Sequence, residues 1–122
     1  MDEEDIYLFL KEIALTKFST IVKDGFITRG TLGTPMGLRI LFCEGSFLEV
    51  RISGRKYSYH WERRMIDNTI FRHDNAPHHK DIATYPEHFH FESDNNVKEC
   101  ELSPDPKIGV IEFLGFIKDR IE

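Results

Sequence analysis

A chain of 122 residues with 40% hydrophobic residues and 10 Phe is too apolar and aromatic for intrinsic disorder, and it is sized for one core, spanning 1–122 as a single domain. Its formal net charge of −5 excludes a protein that coats a nucleic acid backbone with its whole surface, while leaving room for a local basic patch. No apolar run approaches the roughly 18 residues of a membrane span, and the start Met1-Asp2-Glu3-Glu4-Asp5 is acidic where a signal peptide is basic, so a cytoplasmic protein without membrane contact is expected.

The elements follow in chain order. From Ile6 to Val22, the residues Ile6, Phe9, Leu10, Ile13, Phe18 and Ile21 recur at spacings of three and four, which predicts an amphipathic helix stopped by Asp24-Gly25. Between Phe26 and His73, short β-branched and aromatic runs alternate with the turn pairs Glu44-Gly45, Ser53-Gly54 and Asp67-Asn68. This predicts about five antiparallel strands, near 26 to 32, 37 to 43, 46 to 53, 56 to 62 and 69 to 73. A loop with Pro77 and Pro86 follows, then a turn at Asp94-Asn95-Asn96 between two short extended pieces. Asp105 as N-cap and Pro106 in the first turn start a closing helix that presents Val110, Phe113, Leu114, Ile117 and Ile121 to the core. The fold class is therefore α+β, an antiparallel meander with both terminal helices on one face. The other face is left for solvent, a ligand or the second subunit of a homodimer. Cys43 and Cys100 form no close-spaced pair and read as buried thiols.

All six histidines lie between positions 60 and 90. In a strand with period two, Tyr57, Tyr59 and Trp61 share the core face, while Lys56, Ser58, His60 and Glu62 share the polar face. On the next strand either Arg72 or His73 joins His60, according to register. Arg72 fits a surface ion pair with an acid such as Glu62 or a phosphate contact equally well. Asp74-Asn75-Ala76-Pro77 is a turn, which accounts for Asn75 and Pro77 through local hydrogen bonding and a fixed φ.

His78 and His79 point to opposite sides if extended, whereas His88 and His90 share a face and suit two contacts to one ligand. With Asp74 and Glu87 these histidines could supply three ligands to a divalent metal, but no pattern such as His-Glu-x-x-His is present, so no metal and no cofactor are expected. No phosphate-binding glycine loop, dinucleotide fingerprint or Gly-x-Ser-x-Gly turn occurs, which removes most nucleotide-dependent and acyl-transfer chemistry.

The letters Tyr57-Ser58-Tyr59-His60, Phe71-Arg72, Asp74-Asn75-Ala76-Pro77-His78-His79 and the later proline with its trailing histidines resemble the TumE family, the toxin half of bacterial and archaeal toxin–antitoxin pairs. The helix, meander and closing helix follow that family's order. Pro86-Glu87-His88-Phe89-His90 departs from its usual Pro-His-His-Lys-His, and His73 stands where it often has tyrosine. The resemblance implies a toxin with a cognate antitoxin partner and supplies no reaction.

On that footing an RNA-directed, metal-independent ribonuclease is expected. His60 with His78 or His88 would be the acid–base pair, and Arg72 the phosphate clamp. Asp74, Asn75, His79 and His90 would contact substrate, and Tyr85 or Phe89 could stack a base of single-stranded RNA. The alternatives are a non-catalytic module that holds a protein or a metal on its histidine face, and a group-transfer enzyme at the same site.

Overall fold

The computed structural model describes residues 1–122. Helix α1, Glu3–Lys17, is capped by the Asp2 carboxylate, which accepts from the Asp5 N–H at 2.9 Å. Three acids in its first turn and Lys17 in its last complement the helix dipole. The helix ends five residues before the expected Val22, because the β-branched run Thr20-Ile21-Val22 leads into a strand. Strand β1, Val22–Arg29, contains Asp24-Gly25; the pair sits at a register shift in the ladder, so the expected helix stop is a strand irregularity instead.

Strands β2 (Pro35–Phe42), β3 (Phe47–Ser53), β4 (Lys56–Arg63), β5 (Thr69–Asp74), β6 (His88–Glu92) and β7 (Val97–Glu99) follow. All seven pair antiparallel in chain order, so the meander has seven strands where about five are expected. The two additional strands are the extended pieces around Asp94-Asn95-Asn96, which continue the sheet beyond β5.

The β4–β5 connection departs from a tight turn. It contains a single helical turn, α2, Arg64–Asp67. Glu62 accepts from the Arg64 N–H at 2.9 Å, Arg63 reaches Asp67 at 3.2 Å, and Asn68 closes the turn at φ 62°.

The closing helix α3, Pro106–Ile121, begins at Asp105, whose carboxylate accepts from the Lys107 N–H at 3.0 Å. Both long helices cover the same face. Tyr7 of α1 donates its hydroxyl proton to the Ile52 carbonyl at 3.1 Å and accepts from the Ile52 N–H at 2.9 Å, tying α1 to β3. Phe113 and Phe116 of α3 meet Trp61, Phe71, His73 and Phe89 of β4 to β6. Side chains alternate along each strand, so fixing Leu38, Leu48, Val50, Tyr59, Trp61 and Phe71 in the core sends their neighbours to the helix-free face. Cys100 is buried as expected; Cys43 is exposed, because it follows the core residue Phe42 into the β2–β3 turn.

Candidate functional site

Register builds a row of polar residues across the helix-free face. Arg39 of β2 faces Glu49 of β3, Glu49 faces His60 of β4, His60 faces Arg72 of β5, and Arg72 faces His90 of β6. Beside it runs a second row of Arg51, Ser58, Asp74 and His88. Arg72, and not His73, is therefore the residue that joins His60.

The first half of these rows encloses a shallow cleft of about 340 Å³, lined by Arg39, Phe47, Glu49, Arg51, Ser58, His60 and Arg72. Three arginines and one carboxylate line it in a protein whose net charge is −5, with Asp74 and Asp94 pairing Arg72 from behind. Glu49 holds two of them, with Arg39 Nε at 2.9 Å and Arg51 Nε at 3.5 Å, and the Arg39 guanidinium lies 4.2 Å above the Phe47 ring. A larger hollow of about 480 Å³ opens on the helix side, lined by Phe89, Phe91, Leu102 and Phe116, and is separate from this face.

His60 is held at both ring nitrogens. Arg72 Nη1 lies 3.5 Å from Nδ1, and Glu62 Oε1 lies 3.0 Å from Nε2. A guanidinium has no acceptor, so Nδ1 bears the lone pair and Nε2–H donates to Glu62. Burial alone would raise the Glu62 carboxyl, but the hydrogen bonds from His60 and the Arg64 N–H, with the charge of Arg64, outweigh it and hold the group below its ordinary value. Glu62 is thus an ionised partner that orients the imidazole. Arg72 also binds Asp74 at 3.1 Å and Asp94 at 2.9 Å, which fixes its guanidinium beside His60.

The second half of the rows is more buried. Asp74 accepts from the Ala76 N–H at 3.0 Å and lies 3.0 Å from His88 Nε2 and 3.6 Å from His90 Nε2. Its burial pushes the carboxyl up, yet the His90 contact, the Ala76 N–H, His88 and Arg72 together bring it down to about 2. His79 leans over this group from the β5–β6 loop, and ligand atoms of His79, His88 and His90 lie within 4.8 Å of one another.

Several expected site residues are placed elsewhere. His88 is 2% exposed and engaged at both nitrogens, so it cannot act as a solvent-accessible acid in the cleft. Phe89 points to the helix side, stacked on His73 with ring centroids 3.9 Å apart, and is unavailable to a base on the opposite face. Asn75 accepts from the Tyr57 N–H at 3.0 Å and donates to the Arg55 carbonyl at 2.6 Å, so it braces the β3–β4 hairpin. His78 and Tyr85 are exposed on the loop, outside the cleft lining. His73 is buried, with Nδ1 3.2 Å from Cys100 Sγ, and burial pushes its pKa down to about 3.

Arg39, Arg51, Glu49 and Phe47 escape a reading that starts from histidines. The alternation Leu38-Arg39-Ile40 and Glu49-Val50-Arg51 contains the signal, because a meander must bring such polar positions beside Ser58 and His60.

The family model described as Toxin TumE matches residues 11–121. No curated protein and no solved structure matches the chain. The match runs from the second half of α1 to the end of α3 and includes every residue of the helix-free rows, so the chain belongs to the TumE toxin family.

Proposed function

We propose that this toxin acts on RNA in the cleft around His60, and that a cognate antitoxin protein in the same cytoplasm holds it inactive. The observation that supports this reading is the lining itself. Arg39, Arg51 and Arg72 surround His60 on a rigid sheet, in a chain that is acidic elsewhere. Arginine forks suit phosphate oxygens, and an ionised Glu62 behind a histidine suits a general base.

The chemistry follows from the hydrogen bonds. RNA phosphate competes for Arg72 and draws the guanidinium off His60 Nδ1. That lone pair then takes the proton of the ribose 2′-OH, while Glu62 stabilises the imidazolium that forms. The 2′-oxygen attacks phosphorus, the bond to the 5′-oxygen breaks, and water protonates the departing oxygen, the hydroxide so formed taking the proton back from the His60 imidazolium. The arginines stabilise the charge that builds on the phosphoryl oxygens. The products are a 2′,3′-cyclic phosphate and a free 5′-hydroxyl, and no step passes through a metal. His60 alone replaces the expected pair with His78 or His88, since His88 is buried within the second cluster and His78 lies on the exposed loop outside the cleft.

The experiment has two arms. Induction in cells should arrest growth, and co-expression of the adjacent gene should restore it. Purified protein should cut single-stranded RNA to fragments with cyclic phosphate ends. RNA that is neither bound nor cut would favour the non-catalytic module that holds a protein or a metal.

A further inference from the structure

Beyond the His60 cleft, the hydrogen bonds of the second cluster define what it can hold. His88 Nδ1 lies 3.0 Å from the Pro86 carbonyl, and His90 Nδ1 lies 3.0 Å from the Asp94 carbonyl. A carbonyl only accepts, so each Nδ1 carries a proton and each ring turns its Nε2 inward. Both Nε2 atoms face the Asp74 carboxylate, at 3.0 and 3.6 Å. Such an arrangement of ring nitrogens and a carboxylate suits a cation held between them, a proton on a ring or a metal ion. One divalent ion placed between them would meet both Nε2 atoms and the carboxylate at once. A ring N–H donated to a backbone carbonyl is also the outer-shell arrangement of metal-ligating histidines.

His79 supplies the remaining donor. It reaches the cluster from the β5–β6 loop with φ 60°, a conformation uncommon for a residue other than glycine. Its ring centre lies 4.9 Å from that of His88 and 5.8 Å from that of His90, and those two are 4.8 Å apart. Three imidazoles bound to one tetrahedral ion at about 2.0–2.1 Å have ring centres about 5 Å apart, and neighbouring ligand atoms about 3.3 Å apart. The two Asp74 distances lie on either side of that second value, while the ligand atoms of the three histidines, spread over up to 4.8 Å, would draw in around the ion.

We propose that His79, His88, His90 and Asp74 bind one divalent transition-metal ion of the zinc class, which pins the loop between β5 and β6 onto the sheet. Imidazole donors select zinc, cobalt, nickel or copper over magnesium and calcium, which prefer all-oxygen sets. His88 and His90 are 2% and 5% exposed, and four protein ligands leave no open position, so the ion serves structure and not substrate activation. The loop it fastens has no helix or strand of its own between Asp74 and His88.

Chelator-stripped full-length protein would be titrated with Zn²⁺ by calorimetry and melted with and without the ion, with Co²⁺ as a spectroscopic probe. One ion per chain, a higher Tm and a visible absorption band of tetrahedral Co²⁺ are expected. His79→Ala removes a ligand from an exposed loop without opening the core. It should weaken Zn²⁺ binding by more than about 100-fold, beyond the loss that an outer-shell partner causes, and leave the ion-free melt unchanged. His78→Ala and His60→Gln should bind as the unmodified protein does, which keeps this site separable from the RNA reading. Absence of stoichiometric Zn²⁺ binding, or a His79→Ala protein that binds with undiminished affinity, would overturn the proposal.

Discussion

Arg72 Nη1 lies 3.5 Å from His60 Nδ1, directly across the β4–β5 ladder, while Glu62 accepts from the other ring nitrogen at 3.0 Å. The cation that would clamp phosphate thus covers the lone pair that would act as base. Substrate phosphate is what separates them, so base and clamp become available together.

Arg51→Ala should weaken RNA binding about equally across sequences, because a phosphate contact carries no base information. The logarithmic salt slope for a labelled single strand should shrink by about 0.7. The side chain is 64% exposed, and Glu49 keeps Arg39 at 2.9 Å as its nearer partner, so stability should change by less than about 0.5 kcal/mol. Fluorescence anisotropy at several salt concentrations checks the slope.

Trp61→Ala should damage the fold itself. Trp61 is fully buried, donates its indole N–H to Ser46 Oγ at 2.8 Å, and packs on Phe71 with ring centroids 5.1 Å apart. Truncation should cost roughly 3–5 kcal/mol, a large share of the 5–15 kcal/mol expected for a domain. Urea unfolding measures it directly.

His73 gives the fold a pH dependence of known sign. Its folded pKa, about 3, lies below the ordinary histidine value of 6.5. The unfolded chain therefore takes up a proton that the folded chain refuses. Stability from this group is fully present above about pH 6.5 and falls towards pH 3, at up to about 1.4 kcal/mol per unit. Between pH 6.5 and pH 5 the unmodified protein should lose roughly 2 kcal/mol more than His73→Leu, measured by urea unfolding with chelator present.

Strand parity made much of this architecture legible in the sequence. Tyr57, Tyr59 and Trp61 alternate with Ser58, His60 and Glu62, and that pattern alone places His60 on the helix-free face. The caps at Asp105 and Pro106 were equally readable, because capping is local chemistry. What depends on register was not legible. Nothing near Arg72 and His73 indicates which of them faces His60, and nothing in Phe89 itself indicates that it stacks on His73 beneath α3. The helical period reads on beyond Lys17 because Ile21 and Val22 keep its spacing, although Ile21 lies in the turn after α1 and Val22 opens β1. Arg39 and Arg51 precede the histidine stretch along the chain, and only the meander brings them beside Ser58 and His60.

The central claim is that His60 carries the toxic chemistry. His60 lies on the polar face of β4, outside the hydrophobic core, so His60→Gln removes the base without opening a core cavity. The decisive measurement is the rate at which purified, folded His60→Gln protein cuts single-stranded RNA, relative to the unmodified toxin. Loss of a general base lowers that rate by roughly 10²–10⁴-fold, and the account requires a fall of that size with an unchanged thermal melt. A folded His60→Gln protein that cuts RNA at the unmodified rate would contradict the account and place the function in another part of the molecule.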